Sequence, residues 1–436
     1  MFSLLVQILR LAIPALGVLI ATPLYLLLDT AVVGHLGGVN LAALGAASVI
    51  QTVVTTQLTF LSYGTTARSS HHFGAGRRDK AIYEGLQATW VALGVGIVLA
   101  LIIAIGSPIF THFIADDPEV AHLATQWLRH ACPVIPAALI VMAGNGWMRG
   151  VQNTTLPLIF TLAGVIPAAI CVPLFVHRYG IIGSAWANVL GEGIIAALFL
   201  ITLIIQLAKH CQGYSYLPQW TLIKEQLRLG VNLIARSLGM QVALLTAATV
   251  AGRFGANSLG AHQLLNQVWS FLTLVLDSIA IAAQALVGGA LGAKDTAKAT
   301  TTGRMVIQIS TGLGILLAII MGATHNLIPQ IFTNDPAIIA TTHGPWICLL
   351  IMLVLGGVVF ALDGVLLGAA DAAFLRNATI AAVLIGYIPG AVAALIFDWG
   401  LPGVWGGLIA FLLIRLIAGA WRFHSGAWTH QWNSQA

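Results

Sequence analysis

Residues 9–34 read LRLAIPALGVLIATPLYLLLDTAVVG, and residues 227–252 read LRLGVNLIARSLGMQVALLTAATVAG. Each is an unbroken, mostly apolar run. The first carries only Arg10 and Asp29 as charged residues, and the second only Arg228 and Arg236. About 20 such residues, wound as an α-helix, cross the ~30 Å hydrocarbon core of a bilayer. The two runs open on the same tripeptide and close on the same glycine, half the chain apart. That pairing predicts a membrane protein built as a tandem repeat.

The register between the runs holds well beyond them. Gly34 and Gly37 correspond to Gly252 and Gly255, and Gly74-Ala75 to Gly292-Ala293. Lys80-Ala81 corresponds to Lys298-Ala299, and Asp117-Pro118 to Asp335-Pro336. Asn145-Gly146 and Gly150 correspond to Asp363-Gly364 and Gly368. One shift kept over ~140 residues without a gap marks an internal repeat. The same reading of apolar runs places twelve spans at 9–33, 42–66, 86–108, 125–147, 156–177 and 181–208, then 232–252, 260–285, 305–330, 345–368, 378–397 and 402–423. Each half has an even number of spans, so both insert the same way up. The expected fold is therefore an all-α membrane protein of twelve transmembrane helices in two six-helix bundles, related by a pseudo-twofold axis along the membrane normal. Residues 1–208 form the first lobe and 230–436 the second, with 209–229, the most polar long stretch between spans, as a cytoplasmic linker.

Charge gives the orientation. With the N-terminus inside, the inner loops hold Arg68, Arg77, Arg78 and Lys80; Arg149; Lys209, Lys224 and Arg228; Lys294 and Lys298; and Arg376. The outer loops hold only Arg178 and Arg253, and one of them carries Asp116, Asp117 and Glu119. This positive-inside bias predicts both termini in the cytoplasm of a multi-pass cell-membrane protein. The first apolar run is too long for a signal-peptide core and carries Arg10 and Asp29, so it is expected to stay as the first helix.

Composition agrees. Of 436 residues, 58% are hydrophobic and only 8% are charged, against ~25% charged in soluble chains. A net charge of +5, scattered over loops, does not suit nucleic-acid binding. Cys132, Cys171, Cys211 and Cys348 form no CxxC pair, so neither a zinc site nor a redox motif is indicated. His71 and His72 are adjacent and would face apart on a helix, so they do not suggest a shared metal. No HExxH, GxSxG or GxxxxGK[ST] signature occurs, and no paired-aspartate run of the kind that binds magnesium and diphosphate. A membrane-embedded enzyme is the least supported reading.

The informative residues are acids within apolar helices: Asp29, Glu192, Asp277 and Asp363. Each must find a partner, a water-filled cavity or a proton, because a bare carboxylate in a helix bundle costs several kcal/mol. Pro14 and Pro23 interrupt the Asp29 helix, and Pro23 is expected to bend it beside the acid. Polar uncharged residues also cluster: Thr55, Thr56 and Gln57 in the second span, Gln241, Thr246 and Thr249 in the seventh, and His262, Gln263, Asn266 and Gln267 in the eighth. Singly they suit interhelical hydrogen bonds. Together, Tyr25, Gln57, Gln241, His262, Gln263 and Asn266 are candidates to line a substrate cavity. Arg236 and Arg415, a turn or two inside the helix ends, are expected to snorkel.

Three stretches carry a family resemblance. LAIPALGVLIATPLYLLLDTAVVGHLG resembles the first helix of multidrug and toxic compound extrusion (MATE) transporters, particularly the DinF branch. SLGAHQLLNQVWSFLTLVLDSIAIAAQALVGGALGAKD resembles that branch's eighth helix and following loop, and FALDGVLLGAADAAFLRN its tenth. The likeness runs in order along the whole chain. It implies an antiporter that expels organic, cationic, amphipathic drugs or toxins by alternating access, in exchange for protons or sodium, as a monomer without a cofactor. It carries the coupling acids over to Asp29, Asp363 and Asp277. Two departures stand out. The Asn and Asp that the branch has in helix five are Ala168 and Val172 here, which removes partners from Asp29. The helix-seven glutamate of the sodium-linked branch is absent from SLGMQVALL, where only Gln241 is near; this favours protons over sodium. A lipid-linked oligosaccharide flippase of the same superfamily is the alternative. Such a protein would need several cavity cations, and only Arg236 and Arg415 could serve.

Overall fold

The computed structural model describes residues 2–430, which form helices and short connections with no strand. In the first half these are α1 (Phe2–Gly34), α2 (Gly38–Gln57), α3 (Phe60–Gly74), α4 (Arg78–Ile114), α5 (Pro118–Ala131), α6 (Val134–Gly150), α7 (Thr155–Tyr179) and α8 (Ile181–His210). In the second they are α9 (Trp220–Arg253), α10 (Ala256–Gly292), α11 (Thr296–Ala323), α12 (Leu327–Phe332), α13 (Pro336–Gly368), α14 (Ala372–Ala381), α15 (Ile388–Ile396) and α16 (Gly400–His424). Eleven helical segments among the described residues are long and apolar enough to cross a membrane, and α5 with α6, bent by 49° at their junction, supply a twelfth. Each coincides with one expected span. The second span is α2 running into α3, and the eleventh is α14, a π-helical turn at Ala382–Tyr387 and α15.

The breaks have local causes. Pro133 precedes α6 and can give no backbone N–H, which accounts for the bend between α5 and α6. The wide turn at Ala382–Tyr387 comes directly before Pro389, whose missing N–H would leave a carbonyl of a regular helix unbonded. By contrast α1 is assigned as one helix through both Pro14 and Pro23. Helix starts repeat with the sequence. The carboxylates of Asp117 and Asp335 accept from the N–H of Glu119 (2.8 Å) and of Ala337 (2.9 Å), each with proline at the next position. Gly37 and Gly255, at φ +116° and +106°, make the equivalent tight turns into α2 and α10, where a side chain would be strained.

Two compact units result. The N-terminal unit is Ile13–Gly230; the C-terminal unit begins at Val231 and includes the first turns of α1, up to Ala12. The N-terminal unit packs Trp127, Leu128, Ile135, Val172 and Ile181 in one core and Trp147, Phe160 and Phe199 in another. The C-terminal core holds Leu265, Trp346, Leu349, Leu353, Tyr387 and Trp405. Large apolar side chains also point outward: Phe113 is 92% exposed and Ile105 77%. On a helix long enough to span, such a face meets lipid rather than water.

The repeated glycines set the closest packing. A Cβ on Gly146 of α6 would stand 2.8 Å from the Ser62 carbonyl oxygen of α3. One on Gly368 of α13 would stand 2.7 Å from that of Gln284 in α10. Small residues one turn apart let helix backbones meet where burial of apolar surface gives no drive between them.

The stretch after α8 packs within the N-terminal unit. Its residues 220–229 are already helical, as the start of α9. The residues before them lie along the first turns of α4. Tyr214 donates its hydroxyl to the Asp79 carboxylate, Tyr83 donates to the Ser215 carbonyl (2.8 Å) and Trp90 to the Tyr216 carbonyl (2.9 Å). Gln87 bonds the backbone at Leu217 and Gln219. Arg68 then joins Glu84 and Glu225, each at 2.8 Å, and Gln226 reaches Glu84 at 3.0 Å.

Candidate functional site

Helices α1, α2, α3, α6, α7 and α8 of the N-terminal unit enclose a cavity of about 580 Å³, within the range of small-molecule sites. Its polar lining includes Tyr25, Asp29, Gln51, Asn145, Asn188 and Glu192, with Arg149 as the cation. Asp29 is 2% exposed. Its Oδ2 accepts from the Ser184 hydroxyl at 2.8 Å, and Ser184 in turn accepts from Trp127 Nε1 at 3.2 Å. Its Oδ1 has no partner. A chain of donors thus holds one carboxylate oxygen and leaves the other available.

Ala168 lines the same cavity and Val172 lies in the adjacent core, so neither donates to Asp29. Gly191 of α8 approaches Ala168 closely. A Cβ built on Gly191 would already stand 2.8 Å from that of Ala168. Glu192, the next residue of α8, enters the cavity instead. Asn145, at the position of the repeat that Asp363 holds in the other half, is in the lining with its Oδ1 unpartnered. Ser184 and Trp127 carried no signal in the sequence beyond a small hydroxyl and an indole among apolar residues.

Of the residues expected to line a cavity, Tyr25 does so, with its hydroxyl buried and unpartnered. Gln57 does not line it; Gln51 and Thr55, on the face of α2 turned inward, do. Three of the threonines expected to bond between helices bond within their own helix instead. Thr55, Thr246 and Thr249 each donate to the carbonyl four residues back.

In the C-terminal unit His262 is 2% exposed, inside the core, with its ring edge-on to Trp405 at 5.9 Å between centroids. Gln263 beside it is exposed, and Gln241, Asn266 and Asp277 are half-buried. Asp363 is buried, and its Oδ2 accepts from Arg236 Nη2 at 2.6 Å and from Arg415 Nη2. The two arginines therefore do not snorkel. A buried carboxylate within reach holds each guanidinium more strongly than the interface does. The four cysteines are free thiols. Cys211, after α8, rests its sulfur on the Asp79 carbonyl, and burial beside that residue pushes the thiol up to about 11.

The chain matches the family model MatE twice, over residues 14–174 and 233–392, one match per half. It is 29% identical to Protein DETOXIFICATION 44, chloroplastic, of Arabidopsis thaliana, over 98% of this chain and 84% of that protein. It is 26% identical to the DNA damage-inducible protein F of Escherichia coli (strain K12), over 96% and 93%. Its fold is similar to a crystal structure of a MATE protein in the bent conformation, with a TM-score of 0.88 at 20% identity over 98% and 96% of the two chains.

Proposed function

The chain belongs to the MatE family of multidrug and toxin efflux transporters, and from that premise we propose that it exports organic, cationic, amphipathic compounds in exchange for protons. It is a multi-pass membrane transporter and not an enzyme. In this reading it works in the cell membrane as a monomer, with both termini in the cytoplasm, and uses the proton gradient with no cofactor.

The observation that carries the reading is Asp29. It is the acid of the N-terminal cavity with one oxygen fixed by Ser184 and the other unpartnered. A carboxylate so placed can hold either a proton or a cation, and the two compete for one charge. Protonation from outside releases the cation; loss of the proton inside restores the site. Pro23, less than two turns away, leaves α1 short of a backbone hydrogen bond there, so a shape change at this point costs little. Sodium has less support, since α9 offers Gln241 and no glutamate in that stretch. The flippase reading loses its two cations, because Arg236 and Arg415 are both engaged with Asp363.

The test uses purified protein in lipid vesicles. A proton gradient should drive uptake of a cationic dye, an uncoupler should stop it, and a sodium gradient alone should not replace it. Asp29→Asn, locked neutral, should lower proton-driven transport to the level of empty vesicles while the protein still folds and inserts. Wild-type dependence on the gradient in that variant would make Asp29 a structural group.

A further inference from the structure

We propose that Asp29 and Glu192 form one two-carboxylate site in the N-terminal cavity, suited to organic cations that carry two protonated amines. The inference rests on the export reading and names the substrate class within it.

Both acids line the same cavity, Asp29 from α1 and Glu192 from α8. Tyr25, one turn before Asp29, lines the cavity with both. Among the described residues Glu192 makes no hydrogen bond or ion pair. Arg149, the cation of the lining, donates to Ser62 at 3.2 Å. Tyr25 and Tyr63 are the other titratable groups of the lining. Two acids therefore face one cavity, and each demands a positive charge from a ligand or a proton, because an unpaired carboxylate in an apolar bundle is costly.

The atoms left without partners define the ligand further. Asp29 Oδ1, Asn145 Oδ1 and the Tyr25 hydroxyl are buried and unbonded, in residues 2%, 7% and 6% exposed. All three oxygens can accept. A ligand that satisfies them must bring N–H or O–H donors, and a primary ammonium brings three N–H groups together with a charge. A quaternary ammonium brings none. A diammonium compound supplies donors and both charges at once, whereas a monoammonium leaves one acid to a proton.

Calorimetric titration of the purified full-length protein with octylamine and with α,ω-diaminooctane, both charged at neutral pH, tests this. The wild type should bind the diamine about tenfold more tightly than the monoamine, roughly the value of one further charge pair. Glu192→Gln should bring the two ligands within about threefold of each other, chiefly by weakening the diamine. Glu192→Asp should retain the preference, and Asp29→Asn should lose it as Glu192→Gln does. The proposal is overturned if the wild type does not favour the diamine, or if the preference survives in Glu192→Gln. It is equally overturned if Glu192→Gln, eluting as a monodisperse peak, binds neither ligand. Should that variant fail to fold, Asp29→Asn and Glu192→Asp decide the matter by the same ratio. Loss of proton-driven export with the preference intact would sink the export reading alone. Loss of the preference in a protein that still exports dye would sink this site alone.

Discussion

One position of the repeat holds Asn145 in the first half and Asp363 in the second, and the neighbours differ accordingly. Asn145 opens on a cavity with its oxygen unbonded. Asp363 sits between two guanidiniums. Its charge is matched within its own unit, so it has a structural task that Asp29 lacks. Asp363→Asn leaves Arg236 and Arg415 facing each other without their carboxylate and should destabilise the protein by about 3–5 kcal/mol, the usual effect of removing one member of a buried pair. Thermal unfolding in detergent should show a clear drop for that variant. Asp29→Asn breaks no ion pair and should melt close to wild type. Equal melting of the two would remove the structural role from Asp363.

Helix packing is where the repeat is most exact in its physical demands. Gly150 meets Ser69 of α3, where a Cβ would stand 2.5 Å from its neighbour's, and Gly368 meets the Gln284 backbone of α10. Gly150→Val and Gly368→Val should each cost about 1–3 kcal/mol through overpacking, and both should lower yield and melting temperature. The strap between α8 and α9 gives a second prediction. Donation to the Asp79 carboxylate, with burial, pushes the Tyr214 hydroxyl up to about 12. The neutral phenol is the form the folded protein favours, so the contact is fully present below about 10, the ordinary tyrosine value, and is lost as pH rises through 12. At neutral pH it therefore holds. Tyr214→Phe removes it, and Glu225→Gln removes an anion from Arg68. Either change should speed tryptic cleavage after Lys209 or Lys224, measured on the protein in detergent. Unchanged cleavage in both variants would mean that the remaining bonds to Gln87 and Trp90 suffice.

At the scale of the molecule, counting α5 with α6 as one span gives an even number of spans among the described residues, and from it we propose that both ends lie on the cytoplasmic side of the membrane. A reporter that fluoresces only in the cytoplasm should be bright on either terminus, and a periplasmic enzyme fused there should stay inactive. The opposite result at either end would break the even count. Twelve spans at residue-level spacing were legible because a run of about 20 apolar residues is sufficient for a membrane helix. The buried acids were legible for a related reason: a charge inside such a run stands out without any alignment.

What the sequence by itself determined is thus everything that depends on position along the chain. The spans follow from apolar length, the repeat from one constant register, and the candidate acids from charge in apolar surroundings. Helix caps at Asp117 and Asp335 belong here too, since they act over two residues. Tertiary structure alone decided which acids keep a free oxygen. Ser184 reaches Asp29 across 155 residues, and Arg236 reaches Asp363 across 127. Such pairs depend on how helices rotate and approach, which small residues such as Gly191 and Gly368 control by sterics. The snorkelling expected of Arg236 and Arg415 failed on that ground, because a helix end and a buried partner compete for the same side chain. Where the polar stretch after α8 lies was likewise decided by tertiary structure: α4 presents Asp79, Tyr83, Gln87 and Trp90 along one face, and the stretch bonds to them.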